Sequence, residues 1–328
     1  MSTAGRVLEL EDLTVGVGRA MTPVLVDGVS LHVNAGECFG LVGESGSGKS
    51  LTLRSILGLL PGSLHQKAGG LRFAGPDGEL AERDPQTLRG HGVSMIFQEP
   101  MSSLNPTMRV GDLVAAGARV TGLSRSAAAS RALELLAQAG IPEPKRRYRS
   151  HPHELSGGLR QQVMIAMALS VEPRLLLCDE PTTALDVTIQ DQILSLLERL
   201  RGELGLALIF VSHDLAVVSR IADRVAVMYA GQIVEQGATD EVVSAPRHAY
   251  TRGLVSSMPR ASVRLPRLAT IPGSPPTAGR LPAGCRFAPR CEFAVDACRA
   301  GNPPLVELEP GRFTSCIRHA ELQLGRSA

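Results

Sequence analysis

Gly43-Glu44-Ser45-Gly46-Ser47-Gly48-Lys49-Ser50 is the stretch that decides the fold. It fits the phosphate-binding pattern G-x-x-x-x-G-K-[ST] at every fixed position. Cys38-Phe39-Gly40-Leu41-Val42 before it reads as a short buried strand, and Leu51 to Leu60 after it reads as a helix stopped by Pro61-Gly62. Strand, loop and helix form the context that the pattern requires. The glycines let the backbone curl until successive N–H groups point at phosphate oxygens, and the helix start adds its positive end. In this pattern Lys49 reaches the β- and γ-phosphates and the Ser50 hydroxyl ligates Mg²⁺. All eight residues, Gly43, Glu44, Ser45, Gly46, Ser47, Gly48, Lys49 and Ser50, are therefore candidate contacts to ATP and Mg²⁺.

The chain of 328 residues has room for one large domain and a smaller one. Its apolar content of 44% suffices for a buried core, and a net charge of +2 with both signs interspersed advertises no nucleic-acid groove. Arg6, Glu9, Glu11 and Asp12 near the start, and the lack of any apolar run approaching membrane-spanning length, predict no signal peptide and no spanning helix.

In chain order, residues 7 to 33 alternate apolar and polar positions, as an antiparallel strand pair does. A polar stretch from Pro61 to Gly92 precedes a compact apolar strand, Val93 to Phe97, that ends at Gln98. Val110 to Gly140 turns helical, with Leu133, Leu136 and Ala137 on one face. Lys145 to Arg149 is a basic run that reads as a solvated loop face, with contact to a partner or phospholipid as the alternative.

Leu155 to Gln162 opens a long apolar helix, and its Ser156, Gly157 and Gly158 form a second anion-binding helix start. Leu175 to Cys178 is an apolar strand that ends in Asp179 and Glu180. Strand ends are where an α/β sheet places its chemistry. Asp179 there suits Mg²⁺, and Glu180 is the natural base for an attacking water. Asp186 precedes a helix from Ile189 to Leu200. The strand Leu206 to Val211 delivers His213, which at that sheet edge can orient the water. Val225 to Glu235 reads as a hairpin about Ala230-Gly231.

With Gln98, Leu155 to Gln162, Asp179-Glu180, Asp186 and His213 standing in this order behind the phosphate loop, the chain resembles an ATP-binding-cassette ATPase over roughly residues 6 to 260. The resemblance implies an α/β fold: a phosphate-loop (RecA-like) core with an antiparallel β subdomain and an α-helical subdomain, plus a small Cys-rich C-terminal extension. The boundaries expected are a nucleotide-binding domain at 1–260 with its helical subdomain at about 99–165, a Pro/Gly-rich linker at 261–284 and the Cys-rich segment at 285–328. It further implies catalytic roles for Glu180, His213 and Gln98, ATP/Mg²⁺ contacts from Gln98 and Asp179, a signature Ser156, Gly157 and Gly158 that covers the nucleotide of a second cassette, and a dimer-interface loop at Asp186.

A narrower likeness lies in Pro152 to Gly158, Val163 to Leu169, Asp179 to Gln190, His248 to Thr251, Ile271 to Pro276 and Gly284 to Cys291. This is similar to the ATPases of dipeptide, oligopeptide and nickel importers. It implies a second, related cassette as partner, two transmembrane permease subunits, an external substrate-binding protein and a place on the cytoplasmic face of the cell membrane. Two departures stand out. Val17 occupies the place where many cassettes stack adenine on an aromatic ring, and Leu159 and Gln162 differ from the usual signature flank.

The linker from Ile271 to Gly284 holds four prolines and three glycines and is a stiff spacer. Beyond it Cys285, Cys291, Cys298 and Cys316 are spaced C-x5-C-x6-C-x17-C, unlike common zinc ribbons or the tight ferredoxin run. Four thiolates can supply a [4Fe–4S] cluster or one zinc ion, with His319 as an alternate ligand, or remain unliganded or paired as disulfides. The importer resemblance favours the cluster, in a structural role.

These readings predict an ATP-hydrolysing subunit that drives peptide import. Nickel or another small solute remains an alternative cargo, and a soluble cassette acting on nucleic acid or ribosomes is the alternative of a different class. Chromosome-type cassettes need a very long coiled coil after Gln98, and only residues 99–154 lie between it and the signature.

Overall fold

The computed structural model describes residues 5–75, 77–99, 103–183, 185–258 and 270–321. The chain divides into two compact units. One comprises Met1–Leu8, His32–Glu37 and Arg72–Phe210, the other Glu9–Leu31, Cys38–Leu71 and Val211–Ala328.

The first unit carries the carboxylates. Val93–Ile96 pairs in parallel with Leu175–Asp179, in a register that sets Val93 against Leu175 and Ile96 against Cys178. Ala207–Ser212 follows on the other side of Leu175–Asp179. Near-continuous apolar runs of this kind suit strands covered on both faces. All five residues of Leu175–Asp179 and all six of Ala207–Ser212 are buried.

Helices Val110–Val120, Arg125–Gln138 and Gly157–Leu169 pack on one another in this unit. The helical stretch expected from Val110 to Gly140 is made of two helices. Gly122 turns with φ +91°, and the Ser124 hydroxyl accepts the Ala127 N–H to start the second. The buried face of that second helix is Ala128, Ala132, Leu135 and Leu136. Ala137 is exposed and Leu133 only half-buried, so the expected face was rotated by part of a turn. Small residues permit the close packing: a Cβ at Gly111 would lie 2.1 Å from the Tyr148 ring.

The second unit carries the phosphate loop. Cys38–Val42, fully buried, pairs in parallel with Arg224–Tyr229, which turns at Ala230-Gly231 into the antiparallel strand Gln232–Ala238. Burial of each large apolar side chain here contributes about 1.5–3 kcal/mol. The helix after the loop is Lys49–Ile56, shorter than expected. Gly58, with φ +59°, ends it by letting the Leu59 N–H return to the Arg54 carbonyl, before Pro61 is reached. The polar stretch after Pro61 includes a strand, Leu64–Lys67, antiparallel to the end of Arg6–Val17.

The C-terminal region extends this same sheet. Arg312–Thr314 pairs antiparallel with Gln232–Ala238, setting Thr314 against Glu235, and Val306–Glu309 pairs in turn with Arg312–Thr314. Glu235 is fully buried, meets the Arg312 guanidinium, and accepts the N–H groups of Arg247 and His248 at 2.6 and 2.9 Å. Burial pushes its carboxyl up, opposed by Arg312. The expected linker falls partly on residues 261–269, outside the described residues. No helix among the described residues is long and apolar enough to cross a membrane.

Candidate functional site

The phosphate loop is curled as its glycines allow. Gly46 and Gly48 have φ +78° and +103°, conformations that a side chain resists. A Cβ at Gly43 would lie 2.1 Å from the Met228 carbonyl oxygen, so the loop passes where only glycine fits. The Lys49 ammonium lies inside the curl, donating to the carbonyls of Gly43 (2.7 Å) and Glu44 (3.0 Å). The Gly231 N–H donates to the Ser47 carbonyl at 3.0 Å, which ties the loop to the neighbouring hairpin.

Glu44 is held from outside the loop by residues the sequence reading did not single out for it. Its N–H donates to the Tyr250 hydroxyl at 2.8 Å. Its carboxylate takes both ends of the Arg290 guanidinium, Nη1 at 2.7 Å and Nη2 at 2.9 Å. Tyr229, Tyr250 and Phe287 form one aromatic cluster beneath, with ring centroids 4.6 to 5.4 Å apart. Burial pushes the Tyr229 and Tyr250 hydroxyls up, so both stay protonated. Glu44 to Ser47, Tyr229 and Ala230 line a cavity of about 240 Å³ with linker residues Pro275 to Ala278.

His213, in the same unit, is exposed just beyond Ala207–Ser212; the Asp214 carboxylate after it caps helix Leu215–Ile221 by accepting the Ala216 N–H. Val17, the expected adenine-stacking place, lies at the end of strand Arg6–Val17 and is 36% exposed.

In the first unit the strand Leu175–Asp179 ends in buried Asp179, and Glu180 follows with φ +47°. A left-handed glutamate at a strand end is an outlier of the kind that clusters at functional sites. Gln98 Nε2 donates to Glu180 Oε2 at 3.2 Å, joining two residues 82 positions apart that the sequence reading paired only by role. Thr183 Oγ1 donates to the same oxygen at 2.8 Å, a partner that reading missed although it lies three residues on. Both donors are neutral. They orient the carboxylate.

The signature and the Asp186 loop meet in this unit. The Ser156 hydroxyl caps helix Gly157–Leu169 by accepting the Leu159 N–H, and Asp186 caps helix Val187–Leu204 by accepting the Ile189 N–H at 3.0 Å. These helices pack together, and a Cβ at Gly158 would come within 2.8 Å of Ile189. Ser156 and Gly157 are exposed, as is Val187, an apolar side chain 77% open at the second helix start.

The four C-terminal cysteines converge. Cys285, Cys291, Cys298 and Cys316 all line one apolar cavity of about 20 Å³, along with His248 and Phe287. Burial pushes the thiols of Cys285 and Cys291 up and that of Cys316 up to about 11, and neighbouring cysteines add to each shift. Among the described residues no three His, Cys, Asp or Glu side chains stand at metal-ligating spacing, and all six cysteines are free thiols. His319 donates its N–H to the Cys316 carbonyl and is placed beside that cysteine by the turn.

Comparison with known proteins matches residues 26–183 to the ABC transporter family and residues 234–298 to the oligopeptide/dipeptide transporter C-terminal region. The oligopeptide transport ATP-binding protein AppD of Bacillus subtilis (strain 168) is 44% identical, over 96% of this chain and 97% of its own. A protein of Brucella abortus (strain 2308), provisionally named a peptide import ATP-binding protein, is 48% identical over 96% and 98%. Among solved structures, cbiO1 from Clostridium perfringens, part of the ABC transporter complex cbiONQ, aligns with a TM-score of 0.61 at 28% identity, over 73% of this chain and 90% of that one. The cassette MJ0796, seen as a dimer in a post-hydrolysis state with ADP and phosphate, aligns with a TM-score of 0.59 at 27% identity, over 71% and 98%.

Proposed function

The chain belongs to the ABC transporter family, among its oligopeptide/dipeptide import ATPases, and on that premise we propose that it is the ATP-hydrolysing subunit that energises peptide import through separate membrane-spanning subunits. The observation that carries the enzymatic part is the Gln98–Glu180 hydrogen bond. A strand-end carboxylate oriented by neutral donors is what a base for an attacking water requires.

In this reading the N–H groups of the Gly43 to Ser50 loop, apart from that of Glu44, and the Lys49 ammonium take the triphosphate, Glu180 receives the proton of the attacking water, Gln98 aligns that water, and His213 donates toward the departing phosphate. Ser50 and Asp179 present hard oxygen donors of the type Mg²⁺ prefers. Bound there, Mg²⁺ would neutralise phosphate charge. Exposed Ser156 and Gly157, with half-buried Gly158, would cover the nucleotide of a second cassette, a related chain, and Asp186 with bare Val187 would face that partner. We assign residues 1–260 to nucleotide binding, with the helical subdomain at 99–165, 261–284 to a linker and 285–328 to the Cys-rich segment. The assembly would place the chain on the cytoplasmic face of the membrane, against two permease subunits.

Four cysteines lining one cavity supply the donor type of a thiolate-ligated group, although no three of them stand at ligating spacing. We propose a [4Fe–4S] cluster held by Cys285, Cys291, Cys298 and Cys316, with zinc as the alternative. As the side chains lie, 20 Å³ is room for one small occupant, so a cluster requires the thiols to part. Because burial pushes the thiols of Cys285, Cys291 and Cys316 up, binding must displace protons from them, and the group would act as a cross-link within the segment. Iron, sulfide and zinc content of the anaerobically purified chain decides between them.

The functional test is ATP turnover with and without the permease and partner-cassette subunits. Stimulation of about tenfold or more by the complex, abolished in Glu180→Gln, is the expected result. Full turnover indifferent to membrane subunits would remove the transport role.

A further inference from the structure

Glu44 is a carboxylate inside a loop built to bind anions. Unopposed, it would stand against the phosphates that the surrounding N–H groups attract. Its opposition comes from 246 residues away: Arg290, one residue before Cys291, closes a two-pronged ion pair on it. The Arg290 side chain is only 6% exposed, and its other contacts leave it little freedom. Nε donates to the Pro272 carbonyl at 2.8 Å, Nη1 also donates to the Tyr229 hydroxyl at 3.2 Å, and the guanidinium lies over the rings of Tyr229 and Phe287. Tyr250, fully buried, fixes the same glutamate at its N–H.

A second arginine repeats the device on the adjoining turn. Arg286, one residue after Cys285, donates through Nη1 to the Ala230 carbonyl at 2.5 Å and pairs with Asp27. The Gly231 N–H in that turn bonds the Ser47 carbonyl of the loop. Both arginines therefore join the cysteine segment to the phosphate loop, one through a side chain and one through a turn.

We propose that Arg290 is a positioning residue for nucleotide binding, its guanidinium neutralising Glu44 and fixing the loop in the curl that accepts a nucleotide triphosphate. This deepens the cassette reading and rests on it. The C-terminal segment thereby sets nucleotide affinity within its own chain, without contributing a group to the reacting atoms. A lysine cannot replace the arginine fully, since an ammonium carries the charge but not the fork.

The test is equilibrium titration of the full chain with a fluorescent ATP analogue and Mg²⁺, alongside kcat and KM for ATP. Arg290→Ala is expected to weaken nucleotide binding about tenfold, the scale of one uncompensated charge near the phosphates, with kcat at saturating ATP within about twofold. Adding Glu44→Gln to that variant removes the exposed charge and restores affinity, and Arg290→Lys falls between. Should Arg290→Ala melt below the assay temperature, Arg290→Gln carries the same comparison with the side-chain length kept. Unchanged affinity in the single variant overturns the proposal. So does a loss that Glu44→Gln fails to repair, which would leave Arg290 a purely structural residue. A wild-type chain that binds no nucleotide would instead overturn the cassette reading, so the two failures are distinct.

Discussion

Glu44 and Glu180 each follow a buried strand, Cys38–Val42 and Leu175–Asp179, and each keeps different company. Glu44 is matched to a guanidinium by two hydrogen bonds, whereas Glu180 accepts from the Gln98 amide and the Thr183 hydroxyl. A carboxylate clamped by arginine has both oxygens committed to the fork. One that accepts from an amide and a hydroxyl at a single oxygen is oriented by them, with no fork closed on it among those contacts. The same residue type is thus made a strut in one place and a base in the other by what donates to it.

The sharpest way to break that contrast is to neutralise each glutamate in turn. Glu180→Gln should lower kcat by about 10²- to 10⁴-fold while nucleotide still binds, and Glu44→Gln should leave kcat within about threefold. Equal losses in the two variants, measured by steady-state turnover in the assembled transporter, would end the distinction.

A smaller effect depends on pH and on the element that carries Tyr250. His248 caps helix Ala249–Ser256, where Tyr250 sits, and its ring accepts the Tyr250 N–H at 3.1 Å. Burial pushes its pKa down to about 4, so it is neutral in the fold and takes up a proton more readily when unfolded. Stability contributed here is fully present above about pH 6.5 and falls as the pH drops from there toward 4, by at most about 3 kcal/mol. His248→Asn keeps a capping side chain without the titration. Thermal unfolding from pH 7 to 4.5 should show a shallower decline in that variant, and parallel curves would refute the assignment.

The smallest expected change is in Tyr250→Phe, which leaves the Glu44 N–H without its acceptor. A loss of about 1 kcal/mol, or roughly fivefold in nucleotide affinity with kcat unchanged, is the expected outcome in the same titration. No change would leave the loop's position to Arg290 and the Gly231–Ser47 bond.

Local chemistry made much of the site readable. The phosphate loop, the apolar strand ending in Asp179-Glu180 and the Ser156 helix start are each written in consecutive residues, and the structure has strand, turn or helix where those residues require it. Gln98 and Glu180 could be given roles but not contact, because their bond depends on the register of Val93–Ile96 against Leu175–Asp179. Helix ends were misjudged where glycine decided them. Gly58 and Gly122 stop their helices by adopting positive φ, a choice that periodicity of apolar residues does not register. Arg290 carried only a weak sign, its place beside Cys291, and nothing in a single chain links it to a glutamate 246 residues earlier. The docking of Arg312–Thr314 on Gln232–Ala238 is illegible for a similar reason, since strand pairing at such separation is settled by burial and by the Glu235–Arg312 pair.

That last pairing bears on how the protein is made. Synthesis runs from the N-terminus, so Gln232–Ala238 leaves the ribosome long before Arg312 does. Until then one edge of the strand lacks its neighbour, and Glu235 has no guanidinium to meet. The nascent chain must therefore carry an open, sticky edge through the last stretch of translation, and a premature stop anywhere before Arg312 would leave that edge open for good.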